Sequence, residues 1–456
     1  MGEPAGQWRC INCSYVHSGS SPPEVCPVCG APADCFEPVA EPAAPAAAGG
    51  DQVTRVMIVG AGVAGVAAAE AVRNASPNAE VTLVSKEQTP PYYRLNLTRY
   101  LAGELEPAHL PLKADAWYRK QDIDLQLGAE VAEIRADDKS VNLRGGGRLR
   151  FDKLILAVGA HPFMPAFPGT YREGVTPLRT VGDADRILAA NLSGARCVCI
   201  GGGLLGLETA GALARRGAQV TLLEGHGWLL PRQLNSTAGR LLARHVRDAG
   251  IELRAKARTK DLLGDERVRG VQLEDDSVID ADTVIVATGV RANSYLARLA
   301  GLEVNKGVVV DNLLRTSHPD ILAAGDVAEH RGVLYGTWAP AQYQGNIAGM
   351  NALGAGIEFG GIPPSNALKV LRVEVFSVGR VEPEDASYEA LDAERDDRYV
   401  RLLFRDSHLV GAILLGDAGP APLVRKAIEA RADFSDLLRR RPTADQAIEF
   451  ITENVA

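Results

Sequence analysis

Residues 55–72 read RVMIVGAGVAGVAAAEAV, and this stretch decides the fold. Val56–Val59 is a short apolar run of strand character, and an Ala-rich stretch of helical character begins a few residues later. Between them Gly60, Gly62 and Gly65 stand in GxGxxG spacing. The first glycine permits a tight turn, the second lets backbone approach a pyrophosphate, and the third lets helix pack on strand. Phosphate then sits at a helix N-terminus, where backbone N–H groups lack partners. Val81–Val84 supplies the second strand and completes a βαβ unit. Glu87, past the end of that strand, is the candidate acceptor for ribose hydroxyls. Ser85 and Lys86 intervene, so a solvated loop carboxylate is its plain alternative.

The same order of elements recurs downstream. Cys197–Ile200 leads into Gly201, Gly203 and Gly206, a helical stretch follows, and Val220–Leu223 ends directly in Glu224. A carboxylate there accepts hydrogen bonds from the adenine ribose and repels a 2′-phosphate, so NADH is expected over NADPH. Arg215 and Arg216 read as solvated helix residues and not as phosphate clamps. Two such loops imply two nucleotides, and hydride transfer between them makes a sensible pair only if one is a flavin. Strand-like runs at Leu154–Gly159, at Thr283–Gly289 and before Ala324-Gly325-Asp326 suggest that the first unit is interrupted by the second. The expected division is therefore 53–161 with 282–363, enclosing 162–281. Residues 364–456 contain a hairpin-like pair, YVRLLF and LVGAILL, and read as a small α+β domain that is a candidate homodimer interface.

Upstream, five of the seven cysteines lie in the first 35 residues. Cys10-x2-Cys13 and Cys26-x2-Cys29 form two hooks of the kind that close around a metal ion, with disulfides as the alternative. Within the expected 1–37 module, residues 8–37 are loop-rich and poor in large apolar side chains, so a metal is expected to hold it together. Cys35 reads as a spare thiol and His17 as a loop histidine. Residues 38–50 alternate Pro with Ala and end in Gly-Gly, so 38–52 reads as a tether.

The formal net charge of -8 offers no basic surface for phosphate backbones, so nucleic acid is excluded as a partner. No apolar run approaches the roughly 18 residues of a membrane span. The N-terminus has no basic region followed by an apolar core, and a cytoplasmic location is expected. The fold class is α/β: two Rossmann-like dinucleotide-binding domains, a small α+β C-terminal domain and an N-terminal metal module.

From about residue 53 onward, PPYYRLNLTRYLAG, IGGGLLGLE, LLPRQLN and LAAGDVAEH resemble the NADH:rubredoxin reductases and the flavin half of NADH-dependent nitrite reductase large subunits. The resemblance implies FAD at the first loop and NAD(P)H at the second. It further implies that Asp326, after Gly325, holds the FAD ribityl chain, that Arg94 lies beside the flavin, and that Glu208 faces the nicotinamide pocket. Arg99 stands where related reductases often carry Lys. With Glu208 and Arg94 it completes the candidate catalytic set.

Residues 8–37, with WRC, YVH and CPVCGAP, resemble the rubredoxin-like domain of rubrerythrins. That resemblance implies one iron on Cys10, Cys13, Cys26 and Cys29, although four thiolates also accept zinc.

Flavin reductases that act on disulfides, persulfides or peroxides need a reactive cysteine where this chain reads Tyr93-Arg94-Leu95-Asn96. None stands there, and Cys197 and Cys199 read as core residues. The expectation is an oxidoreductase sending electrons from NADH through FAD to its own iron site and on to a downstream acceptor protein. The alternatives are an NADH oxidase or nitrite-reductase-like flavoprotein that uses the module for docking, and a non-catalytic redox sensor.

Overall fold

The glycine-rich segment folds into a strand, a helix and a strand: Arg55–Val59, Val63–Ala75 and Glu80–Val84. The structure, a computed structural model, describes residues 6–10, 16–24, 26, 33, 36–39, 53–362, 365–371 and 373–455. Near-continuous apolar strands suit a parallel sheet covered on both faces. The first sheet is of this type, in the order Ile321–Ala323, Lys153–Leu156, Arg55–Val59, Glu80–Val84, Ile123–Gln126. The Val63–Ala75 helix is rich in Ala because helix Trp338–Ala352 packs closely on it. A Cβ on Gly345 would lie 2.2 Å from the Ala64 carbonyl oxygen.

The second sheet is also parallel, in the order Val175–Thr176, Thr283–Val286, Arg196–Ile200, Gln219–Glu224, Glu252–Ala255. This corrects the expected division at residue 282. Thr283–Val286, buried along its whole length, belongs to the second unit. The chain returns to the first unit beyond it, where Val290–Ala292 pairs antiparallel with Ala160–Pro162. An apolar run shows that a strand is buried but not which sheet buries it.

The C-terminal sheet is antiparallel, in the order 365–370, Val373–Gly379, His408–Leu415, Arg398–Arg405, Tyr388–Arg395. The predicted hairpin turns at Asp406 and Ser407, with φ of 50° and 61°, the left-handed geometry a two-residue turn requires. One face, with Val375, Tyr399 and Ile413, joins the core of the second unit beside Leu207 and Leu241. The other face, with Phe376, Leu402 and Phe404, is covered by helices Ala421–Glu429 and Ala444–Asn454.

At the N-terminus Val16–Gly19, Gly6–Cys10 and Phe36–Val39 form a three-stranded antiparallel sheet. Pro38 and Val39 pair with Trp8 and Gln7, so the module runs two residues into the expected tether. Among the described residues no helix is long and apolar enough to cross a membrane.

Candidate active site

Each glycine of the two loops meets the surroundings its role demands. Gly60 and Gly201 have φ of +108° and +112°, and a Cβ there would strike the carbonyls of Ala157 and Ala287. A Cβ on Gly65 would lie 1.9 Å from the Gly60 oxygen, and one on Gly206 1.8 Å from the Gly201 oxygen, so helix and strand touch through bare backbone. Around Gly62 and Gly203 a Cβ would meet nothing within 4 Å. These two residues begin helices with no side-chain cap and no acidic residue in the first turn. Uncapped N–H groups at an open position suit a pyrophosphate, so both loops fit a dinucleotide.

Glu224 is bound into the second loop. It is 6% exposed, and its two oxygens accept the N–H groups of Gly202 at 2.9 Å and His226 at 2.6 Å. Gly202 is required as well, since a Cβ there would lie 2.7 Å from the Glu224 carboxylate. In the first loop the equivalent position is Ser85, because Gly60 N–H donates to Val84 as Gly201 N–H donates to Leu223. Glu87 turns elsewhere. It accepts from the Tyr92 hydroxyl at 2.9 Å and pairs with Arg94.

Arg94 also donates to Tyr92 Oη at 2.7 Å and to the Arg179 carbonyl at 2.9 Å. The Arg179 guanidinium in turn bonds Asp326 at 2.9 Å. Two ion pairs, Glu87 with Arg94 and Arg179 with Asp326, are thus joined through the Arg179 backbone carbonyl, which draws three of the predicted residues together through a fourth that sequence reasoning missed. Gly325, with φ of +82°, donates its N–H to Gln344 Oε1 at 2.8 Å. Gln344 is fully buried and its Nε2 has no protein partner, an orphaned donor beside the Gly325-Asp326 turn. That donor also fits a bound polar cofactor.

Glu208 lies in the helix after the second loop and accepts from Thr98 Oγ1 at 3.0 Å, across the boundary between the units. Burial pushes its carboxyl up to about 7, and the Thr98 hydroxyl holds it back. Arg99 is not drawn to Arg94. It is exposed and pairs with Glu104 at 3.7 Å. Arg215 also pairs with Glu104, and Arg216 Nε donates to the Leu101 carbonyl at 2.9 Å. The two arginines therefore tie the units together and are not merely solvated.

Cys10 and Cys26 are buried in the N-terminal module, whereas Cys13, Cys29 and Cys35 lie outside the described residues. Cys197 and Cys199 are core residues as expected. Burial raises the Cys197 thiol to about 11 and raises that of Cys199 as well. Sequence reasoning also missed Tyr93 and Trp338, whose rings stack at 5.2 Å and 20°. Nothing in their spacing could have linked residues so far apart.

Residues 54–345 match the family described as pyridine nucleotide-disulphide oxidoreductase. The chain belongs to that family. Within this oxidoreductase, residues 364–432 match the rubredoxin NAD+ reductase C-terminal domain, and residues 8–37 match the rubredoxin-like domain of rubrerythrin. Nitrite reductase [NAD(P)H] of Bacillus subtilis is 34% identical over 84% of the chain and 48% of its own length. The chain spans about half the length of that relative. Rubredoxin-NAD(+) reductase of Pseudomonas putida is 34% identical over 62% of the chain and 74% of its own length. The crystal structure of NADH:rubredoxin oxidoreductase from Clostridium acetobutylicum superposes with a TM-score of 0.73 at 27% identity, covering 86% of this chain and all of that one. The family implies FAD and a pyridine nucleotide, which agrees with the two open loops.

Proposed function

We propose that this oxidoreductase carries electrons from NADH to an iron in its own N-terminal module and from there to a downstream acceptor protein. The observation that carries the reading is the placement of the seven cysteines. Four form the hooks of the module, Cys35 adjoins them, and Cys197 and Cys199 are buried strand residues with raised thiol pKa. No thiol stands in Tyr93-Arg94-Leu95-Asn96, so electrons have no disulfide to enter. Relatives whose names state rubredoxin as acceptor support the same outlet.

FAD bound at the Gly60 loop supplies hydride acceptance and single-electron release, and iron on Cys10, Cys13, Cys26 and Cys29 supplies a one-electron acceptor. The protein contributes positioning and charge. Gly62 and Gly203 admit the two pyrophosphates, Glu224 takes the NADH ribose and disfavours a 2′-phosphate, and Asp326 holds the ribityl hydroxyls. Glu87, by this reading, acts through Arg94, which it orients beside the flavin. Glu208, raised by burial to about 7 and so only partly ionised at neutral pH, faces the nicotinamide. Arg99 and Glu104 support the helix that carries Thr98. Iron held by those four thiolates would take one electron at a time, whereas NADH gives up two electrons and a proton as it becomes NAD+. With one such site per chain, oxidation of one NADH would require the acceptor protein to take two electrons in turn.

Cys10→Ser tests the path. Dye reduction by NADH should persist while NADH-driven bleaching of the iron colour disappears. Bleaching in the variant at the wild-type rate would falsify the path, and metal analysis of the wild-type protein separates iron from zinc.

A further inference from the structure

We infer that Val63, Tyr93, Leu112 and Trp338 form the electron-delivery docking face of the flavin unit, and that the occupant of this face is the chain's own 8–37 module. The inference rests on the function proposed above and names the contact through which it works.

Trp8, Cys10, Cys26 and Phe36 of the module lie in one apolar cluster with those four residues. Two of the four proposed iron ligands therefore share a contact surface with the flavin unit. Val63 directly follows Gly62, the open position of the first loop at the start of its helix. Trp338 begins the helix whose glycines press on Val63–Ala75, and it is 8% exposed with its ring stacked on Tyr93. An apolar contact between residues beside the loop and the two cysteines shortens the distance an electron must cross, and electron transfer weakens steeply with distance.

Polar groups rim the apolar seat. Lys113 pairs with Glu70 at 3.0 Å and lies over the Trp117 ring. Burial and the Lys113 charge lower the pKa of His17 in the module while Glu70 opposes them, so His17 lies within reach of both rim charges. An apolar centre with a charged rim is the usual anatomy of a protein interface. The module cannot bury Trp8 and Phe36 within so small a core, and the flavin unit completes that core.

The test uses the full chain loaded with FAD and iron. Leu112→Glu places a charge in the seat and Lys113→Glu reverses the rim. Each should speed amide hydrogen exchange across 6–10 and 36–39 by about tenfold, and slow NADH-driven bleaching of the iron by a similar factor, with ferricyanide reduction within about twofold of wild type. Bleaching as fast as wild type in both variants overturns the inference. So does slower bleaching without faster exchange, since the substitutions would then act on the flavin unit and not on docking. A wild-type chain whose iron never bleaches with NADH overturns the proposed function as well, a pattern distinct from fast bleaching in the variants.

Discussion

At the residue scale Glu208 is a candidate catalytic group whose chemistry depends on its setting. Its carboxyl is raised to about 7 by burial, so the folded chain holds that proton over a range where the unfolded chain has lost it. Stability from this group is present below the ordinary carboxylate value and declines as pH rises toward about 7. Glu208→Gln should flatten that decline, as read from urea midpoints between about pH 5 and pH 8. Thr98 supplies the opposing hydrogen bond. Thr98→Val should therefore move the titration of Glu208 above its present value, detectable as a shift in the pH profile of flavin reduction by NADH. The role of Glu208 was accessible only through resemblance, because nothing in a lone helical carboxylate announces its burial. Glu87 shows the reverse: its position two residues beyond Ser85 was legible, and the structure gives it Arg94 and Tyr92 as partners.

At the scale of elements, each glycine loop contains positions with opposite sensitivities. Gly65→Ala and Gly206→Ala drive a methyl into backbone oxygen and should cost on the order of 1–3 kcal/mol, read from thermal or denaturant unfolding. Gly62→Ala and Gly203→Ala have room in the protein alone, so stability of the unliganded chain should change little. Gly62→Ala should instead lower FAD content on purification, and Gly203→Ala should keep FAD while raising KM for NADH by about tenfold. Equal loss of stability in all four variants would refute the assignment of roles. These roles were readable in the sequence because turn geometry and helix starts are short-range properties. The sheet that claims Thr283–Val286 was not readable, since a buried strand carries the same apolar pattern in either neighbour.

At the scale of the molecule, the C-terminal sheet and the second unit share a core and one buried polar junction. Asn235 Nδ2 donates to Tyr399 Oη at 2.5 Å, Tyr399 donates to Asp392 at 2.7 Å, and the Asn235 oxygen caps helix Ser236–Asp248. Tyr399→Phe strands a buried amide and should destabilise the chain by about 1–3 kcal/mol, seen as a lower Tm. A Tm equal to wild type would mean that the junction contributes nothing.

What the sequence determined by itself was local: two strand–loop–helix units with their six glycines, Glu224 at the end of its strand, the two cysteine hooks, and the absence of a thiol beside Arg94. Each follows from backbone sterics, hydrogen-bonding groups or ligand chemistry within a few residues. The tertiary structure alone decided the pairing of Arg179 with Asp326, the stacking of Tyr93 on Trp338, the clamping of the units by Arg215 and Arg216, and the seat under Cys10 and Cys26. These contacts join segments far apart in the chain, and their energy depends on which surfaces packing brings together, a property no local pattern encodes.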